Sequence, residues 1–334
     1  NATLTVGSQI RRGLVASSGV LKYRQTGGTV TLGKNAAPEG NRGILEILNS
    51  GSEFKHTGGD LIISRGQTDA SVAAVYLAPT TTNISDASVL QLGDANTPVS
   101  AVIGINTTIP LSNILIDNSS SQNPTVQLMI NDLSLTGGIE LDANTTVDAN
   151  DLNFTLAGNF INGGTYLPGT NLTTFNGTDQ LISGNTDFYD LMINSSNRLD
   201  LAGTVTSNLT ISNNLTNSAT LEDSTNTISV SGDIDNSGIH VSTGTSGGVL
   251  LTGSKAFEIT GNGTFGRVEL DNPEGVSLAS DITIQDSLKL TNGVFRIKEF
   301  LLELNGSIGG SNFGENKMIE TSGAAANGGF QFNI

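Results

Sequence analysis

The residues of this chain best suited to chemistry are aspartates. Asp142, Asp148 and Asp151, with Asp132 nearby, form the leading candidate group, followed by Asp179, Asp187 and Asp190 and by Asp233 with Asp235. Carboxylates that converge on one cleft can deliver and abstract protons in polysaccharide chemistry, usually with a Lys, Arg or metal beside them. No base stands close to these aspartates in sequence and no aromatic sugar platform accompanies them, so they read as solvated turn residues. Surface Asp and Asn oxygens also suit a hard cation. Structural calcium is therefore an expectation without assigned residues, since the chain has no Asp-x-Asp-x-Asp-Gly loop and no glycine-rich nonapeptide array.

The remaining chemical side chains are sparse. His56 and His240 are the only histidines and have no companion at a ligand spacing, which argues against a metal site or a Ser-His-Asp triad and places both on faces or corners of the fold. The absence of Cys removes disulfides and thiol nucleophiles. Arg11, Arg12, Lys22 and Arg24 form the one positive cluster and read as outward strand positions rather than an anion site. With 31 acidic against 15 basic residues, a net charge of −16 opposes nucleic acid and anionic bilayers as partners. No run approaches the roughly 18 apolar residues of a membrane-spanning helix. No catalytic, cofactor-binding or metal residue is assigned, and the chain is not expected to be an enzyme. A carbohydrate-active β-helix lyase or hydrolase is the alternative.

The elements that position these residues are short strands. Apolar residues sustain no helical spacing, whereas β-type runs bounded by Gly, Asn, Asp and Ser recur throughout, among them Ile44–Leu48, Leu61–Ile63, Val89–Leu92, Ile114–Ile116, Val126–Ile130 and Leu209–Ile211. Thr26, Gly27 and Gly28 return as Thr57, Gly58 and Gly59, each time between apolar runs, which suits a coil turning at a glycine pair. A longer recurrence follows. Leu111, Ile114 and Ile116 match Phe188, Leu191 and Ile193, then Phe265, Val268 and Leu270, at intervals of about 77 residues. Leu133 and Leu135 match Leu209 and Ile211, then Leu288 and Leu290, at similar intervals. The fold class is therefore all-β, a parallel β-helix (β-solenoid) built from repeats, with tandem β-sandwich domains as the alternative. Residues 1–100 are expected to form N-terminal coils with the Thr-Gly-Gly repeats, and 101–334 a solenoid with three repeats of about 77 residues, truncated at the C-terminus.

The segments Leu156–Tyr166, Phe175–Gly184 and Phe188–Asn194 resemble repeats of very large surface proteins of Bacteroidetes-type bacteria, among them gliding-motility adhesins and other cargo of the type IX secretion system. Asn316–Gly323 and the following Gly328, Gly329 and Phe330 look like a recurrent element of the same proteins. The resemblance covers residues 150–334 well and the N-terminal third loosely, and no C-terminal sorting domain is recognisable, which suggests a piece of a larger protein. It implies an extracellular module on the surface of a Gram-negative cell, with secretion or surface-anchoring machinery as partner and a surface polysaccharide or solid substrate as ligand. It also implies O-glycosylation at Asp-Ser/Thr motifs, which places candidate sites at Ser224 and Ser287.

Overall fold

The computed structural model describes residues 2–333 apart from 13–18, 36–39, 41, 70, 120, 195–197 and 323–327. Ser195 of the second repeat copy and Gly323 of the C-terminal element lie outside the described residues. The described chain is all-β: parallel strands stack coil upon coil in a β-solenoid, and no helix occurs among the described residues. The compact units are Asn1–Asn171 and Leu172–Ile334, a division that falls inside the longer of the two segments expected from the repeats.

In the first unit the alternation of side chains fixes the register. Leu61 pairs with Val30 on one side and Leu90 on the other, and Ile114 pairs with Leu90 and Ile139. Each partner sits one coil away, so the inward residues of successive coils form one column, and Leu61, Leu90, Ile114 and Ile139 are all buried. A second face stacks Leu45, Val75 and Ile105 in the same way. Rings from three strands meet in one coil. Phe154, Phe160 and Tyr166 have centroids 6.2, 6.3 and 5.4 Å apart, and the buried Tyr166 hydroxyl accepts a hydrogen bond from Asn171 at 2.8 Å.

The glycine pairs bend the chain inside continuous strands, where the register slips, rather than at a break between two strands. Lys22–Leu32 and Glu53–Ile63 run side by side, and Gly28 and Gly59 have φ of +72° and +81°. A Cβ on Gly59 would stand 2.2 Å from the Gly28 carbonyl oxygen, so the stacked corner requires glycine for space as well as for dihedral.

In the second unit the coils are short and uneven. Leu215 and Ile234 are register partners, as are Ile234 and Ile259. Beside the first pair, Asn217 Nδ2 donates to Asn236 Oδ1 across a coil of 19 residues; beside the second, the Glu258 N–H donates to Asp233 across one of 25 residues. The step of the recurrence from Leu191 to Val268 is therefore not a whole number of coils. Leu191 belongs to the column of Leu215, Ile234 and Ile259, whereas its repeat counterpart Val268 belongs to the column of Leu209, Ile228 and Val249. The repeat thus returns on a different face while its inward pattern is kept: Phe188, Leu191 and Ile193 are buried, as are Phe265, Val268 and Leu270. Leu209 and Leu288, by contrast, share one column.

Candidate functional site

The second unit contains a buried polar group. Asp223 follows strand Thr220–Glu222, and His240 and Ser242 belong to the next coil, with Leu221 beside His240 and Glu222 beside Val241. That register brings Ser242 level with Asp223, and its Oγ donates to Asp223 Oδ2 at 2.5 Å. His240 Nε2 lies 3.3 Å from the same oxygen, and the two side chains are 1% and 0% exposed. The backbone N–H of Thr225 donates to Asp223 Oδ1 at 2.9 Å. On the far side of the ring, the Gly266 N–H donates to His240 Nδ1 at 3.2 Å, which assigns the ring proton to Nε2. Nε2 and the carboxylate are close but poorly aligned, so the contact is electrostatic rather than a full hydrogen bond. Burial would raise the Asp223 carboxyl; the His240 contact and the hydrogen bonds from Ser242 and Thr225 outweigh it and hold the group below the usual carboxylate range.

Nucleophilic chemistry would need a hydroxyl on the imidazole and a path to solvent. Here serine and histidine both address the carboxylate, and the ring and carboxylate are sealed, so the cluster holds coils together. Its reach extends further. The Arg267 N–H donates to Ser242 Oγ at 2.9 Å, and the Arg267 guanidinium donates to the carbonyls of Thr243, Gly244 and Ser246 at 2.7, 2.8 and 2.8 Å. One side chain therefore straps the loop 243–247 to the coil above it.

The first unit has its own buried carboxylate. Glu46 Oε1 accepts from Arg12 Nε at 2.7 Å and Oε2 from Arg42 Nε at 2.8 Å. Burial would raise the Glu46 carboxyl, but the two guanidiniums overcome that and lower it. Arg12 lies over Glu46 on the outer face of the sheet, and this pairing leaves it only 15% exposed. Arg24 also faces outward, paired with Glu53, and Arg11 donates to Gln9 at 3.1 Å. Lys22 is exposed at the start of its strand.

The aspartates singled out by the sequence are spread over several turns and strands and do not converge on one site. Asp132 accepts from the Asn153 amide, Asp142 from Asn118, Asp148 from Asn150 and Asp151 from Thr170, all backbone N–H groups at 2.7 to 3.0 Å. Asp190 accepts from Asn214 and Asp233 from Glu258 in the same manner. Asp187 and Asp235 point outward from strands, and Asp179 occupies a turn with φ of +50°. No group of three or more His, Asp or Glu side chains among the described residues could hold a metal ion. His56 faces inward from its strand and its Nε2 lies 3.0 Å from the Gly59 carbonyl; burial lowers its pKa. Ser224 is half-buried on the turn after Asp223, and Ser287 is half-buried in strand Ile282–Asn292.

In the sequence His240 stands alone, with no local signal connecting it to Asp223 and Ser242. The connecting signal is the 19-residue coil, because Asp223 and Ser242 are separated by that interval. Compared with family models, with curated proteins and with solved structures, the chain matches none.

Proposed function

We propose that the chain is an extracellular structural and adhesive repeat module of a large bacterial surface protein, exported across the outer membrane and serving gliding or surface attachment. Its partners in this reading are secretion or surface-anchoring machinery and a polysaccharide or solid surface. The reading is supported by where the polar side chains are used. At one corner of the second unit, Asp190 accepts the Asn214 N–H, Asn214 Oδ1 accepts the Asp233 N–H at 3.0 Å, and Asp233 accepts the Glu258 N–H. Each side chain caps the backbone of the next coil, which suits a module whose stability accumulates from neighbour contacts. Ser224 is its proposed glycan acceptor.

Labelling of intact cells with a membrane-impermeant amine reagent tests the placement. The protein should label without lysis and be shaved by external protease. Labelling that appears only after lysis would remove the surface reading.

A further inference from the structure

The loop 243–247 does more than connect two strands. It rises from the coil between Ile239–Val241 and Gly248–Thr252, and Arg267 holds it there through the backbone carbonyls described above. Arg267 is itself fixed from below, since its N–H and that of Gly266 bond to Ser242 and His240 of the sealed cluster. The consequence is a braced wall beside the outer face of a parallel sheet. Gly248, level with Thr227 on the preceding coil, leaves that face without a side chain; a Cβ there would meet Arg267 Cβ at 2.8 Å.

Between wall and sheet lies a groove of about 380 Å³. Thr227, Ser246 and Ser287 line it with hydroxyls, Leu250 adds an aliphatic patch, and Glu269 and Lys289 supply paired charges. Lys289 Nζ and Thr291 Oγ1 both donate to Glu269 Oε1, at 2.8 and 2.6 Å. The charged ends remain accessible, with Glu269 33% and Lys289 54% exposed. This mixture sorts ligands by chemistry. A phosphate would meet a lysine already paired with Glu269 and a guanidinium already committed to the carbonyls of Thr243, Gly244 and Ser246, and an apolar peptide would leave the hydroxyls unpaired. A polyhydroxylated ligand, by contrast, can exchange hydrogen bonds with hydroxyls, carboxylate and ammonium alike while resting a ring face on Leu250.

We propose that this groove is a binding site for a neutral glycan chain, with Arg267 as the positioning residue that holds its wall. The inference rests on the adhesive reading above and gives it a partner chemistry. Purified full chain is titrated calorimetrically with neutral gluco-, manno- and galacto-hexasaccharides, beside an acidic uronate hexasaccharide. At least one neutral hexasaccharide should bind at millimolar concentration or below. Thr227→Trp, which fills the groove, should weaken binding at least tenfold with circular dichroism unchanged. Arg267→Ala should weaken it several-fold and raise hydrogen exchange in 243–247. Binding of the uronate alone, binding that survives Thr227→Trp, or no binding by any neutral hexasaccharide would each overturn the proposal. These results leave surface placement untouched, because that is read by labelling intact cells.

Discussion

In the first unit the Glu46 carboxylate is met by two guanidiniums, whereas in the second Asp223 is met by an imidazole, a hydroxyl and a backbone amide. The difference follows from position. Glu46 alternates with inward Leu45 and Ile47, so it leaves the sheet on the outer face, where only long side chains can fold over it. Asp223 sits at a corner between stacked coils, where the next coil brings short groups into contact without lateral reach. An outward lock can relax toward water when broken. A lock between coils cannot.

That contrast predicts unequal losses. Asp223→Ala removes the charge beside His240 Nε2 and the acceptor of Ser242 in a buried site and should cost about 3 kcal/mol. Hydrogen exchange should show lost protection in 239–242 and 264–268, with the first unit unaffected. Glu46→Ala should cost less, about 2 kcal/mol, because Arg12 and Arg42, 15% and 18% exposed, can turn to solvent. Denaturant melts giving equal losses for the two variants would break the comparison.

Acid should separate the units as well. The lowered carboxyls of Asp223 and Glu46 contribute stability that is present above the ordinary carboxylate range and is lost as pH falls through their folded values, from about pH 4 downward. His56 acts earlier. Its folded pKa is depressed by burial, so the unfolded chain takes up protons first, and stability declines as pH drops below the unfolded value of about 6.5. Hydrogen exchange between pH 7 and 5 should weaken around His56 while Asp223 and its neighbours hold. His56→Leu should flatten that slope, and a slope that survives the substitution would exclude His56 as its origin.

These features were unevenly legible in the sequence. Alternation announced the strands, and the glycine pairs at Gly28 and Gly59 announced a stacked corner, because each signal is local. The turn role of Asp151 was equally readable. The Asp223, His240 and Ser242 cluster was not, since pairing depends on coil length, which varies from the short step between Asn217 and Asn236 to the much longer one between Leu21 and Ser52. The long recurrence was visible, but its face was not: moving from Leu191 to Val268 crosses a fraction of a coil that only the register fixes.

The smallest effect concerns two turns of the same kind. In the first unit, Leu152 N–H donates to the Ala149 carbonyl at 2.9 Å across Asn150 and Asp151, whose φ values are +51° and +62°. In the second, Asn226 N–H donates to the Asp223 carbonyl at 2.8 Å across Ser224 and Thr225, at +45° and +73°. Asn and Asp tolerate this left-handed region, while β-branched threonine is strained in it. Asp151 also uses its carboxylate on the Thr170 N–H and hydroxyl, at 2.7 and 3.0 Å. Glycine should therefore act with opposite sign at the two sites. Thr225→Gly relieves strain that exceeds the added freedom of the unfolded chain and should stabilise by about 0.5 to 1 kcal/mol. Asp151→Gly relieves little, loses the Thr170 contacts and should destabilise by about 1 kcal/mol. Thermal melts of the two variants read the sign directly. Destabilisation by both would mean that the Thr225 side chain, which packs toward Gly244 of the strapped loop, contributes more than its backbone strain removes.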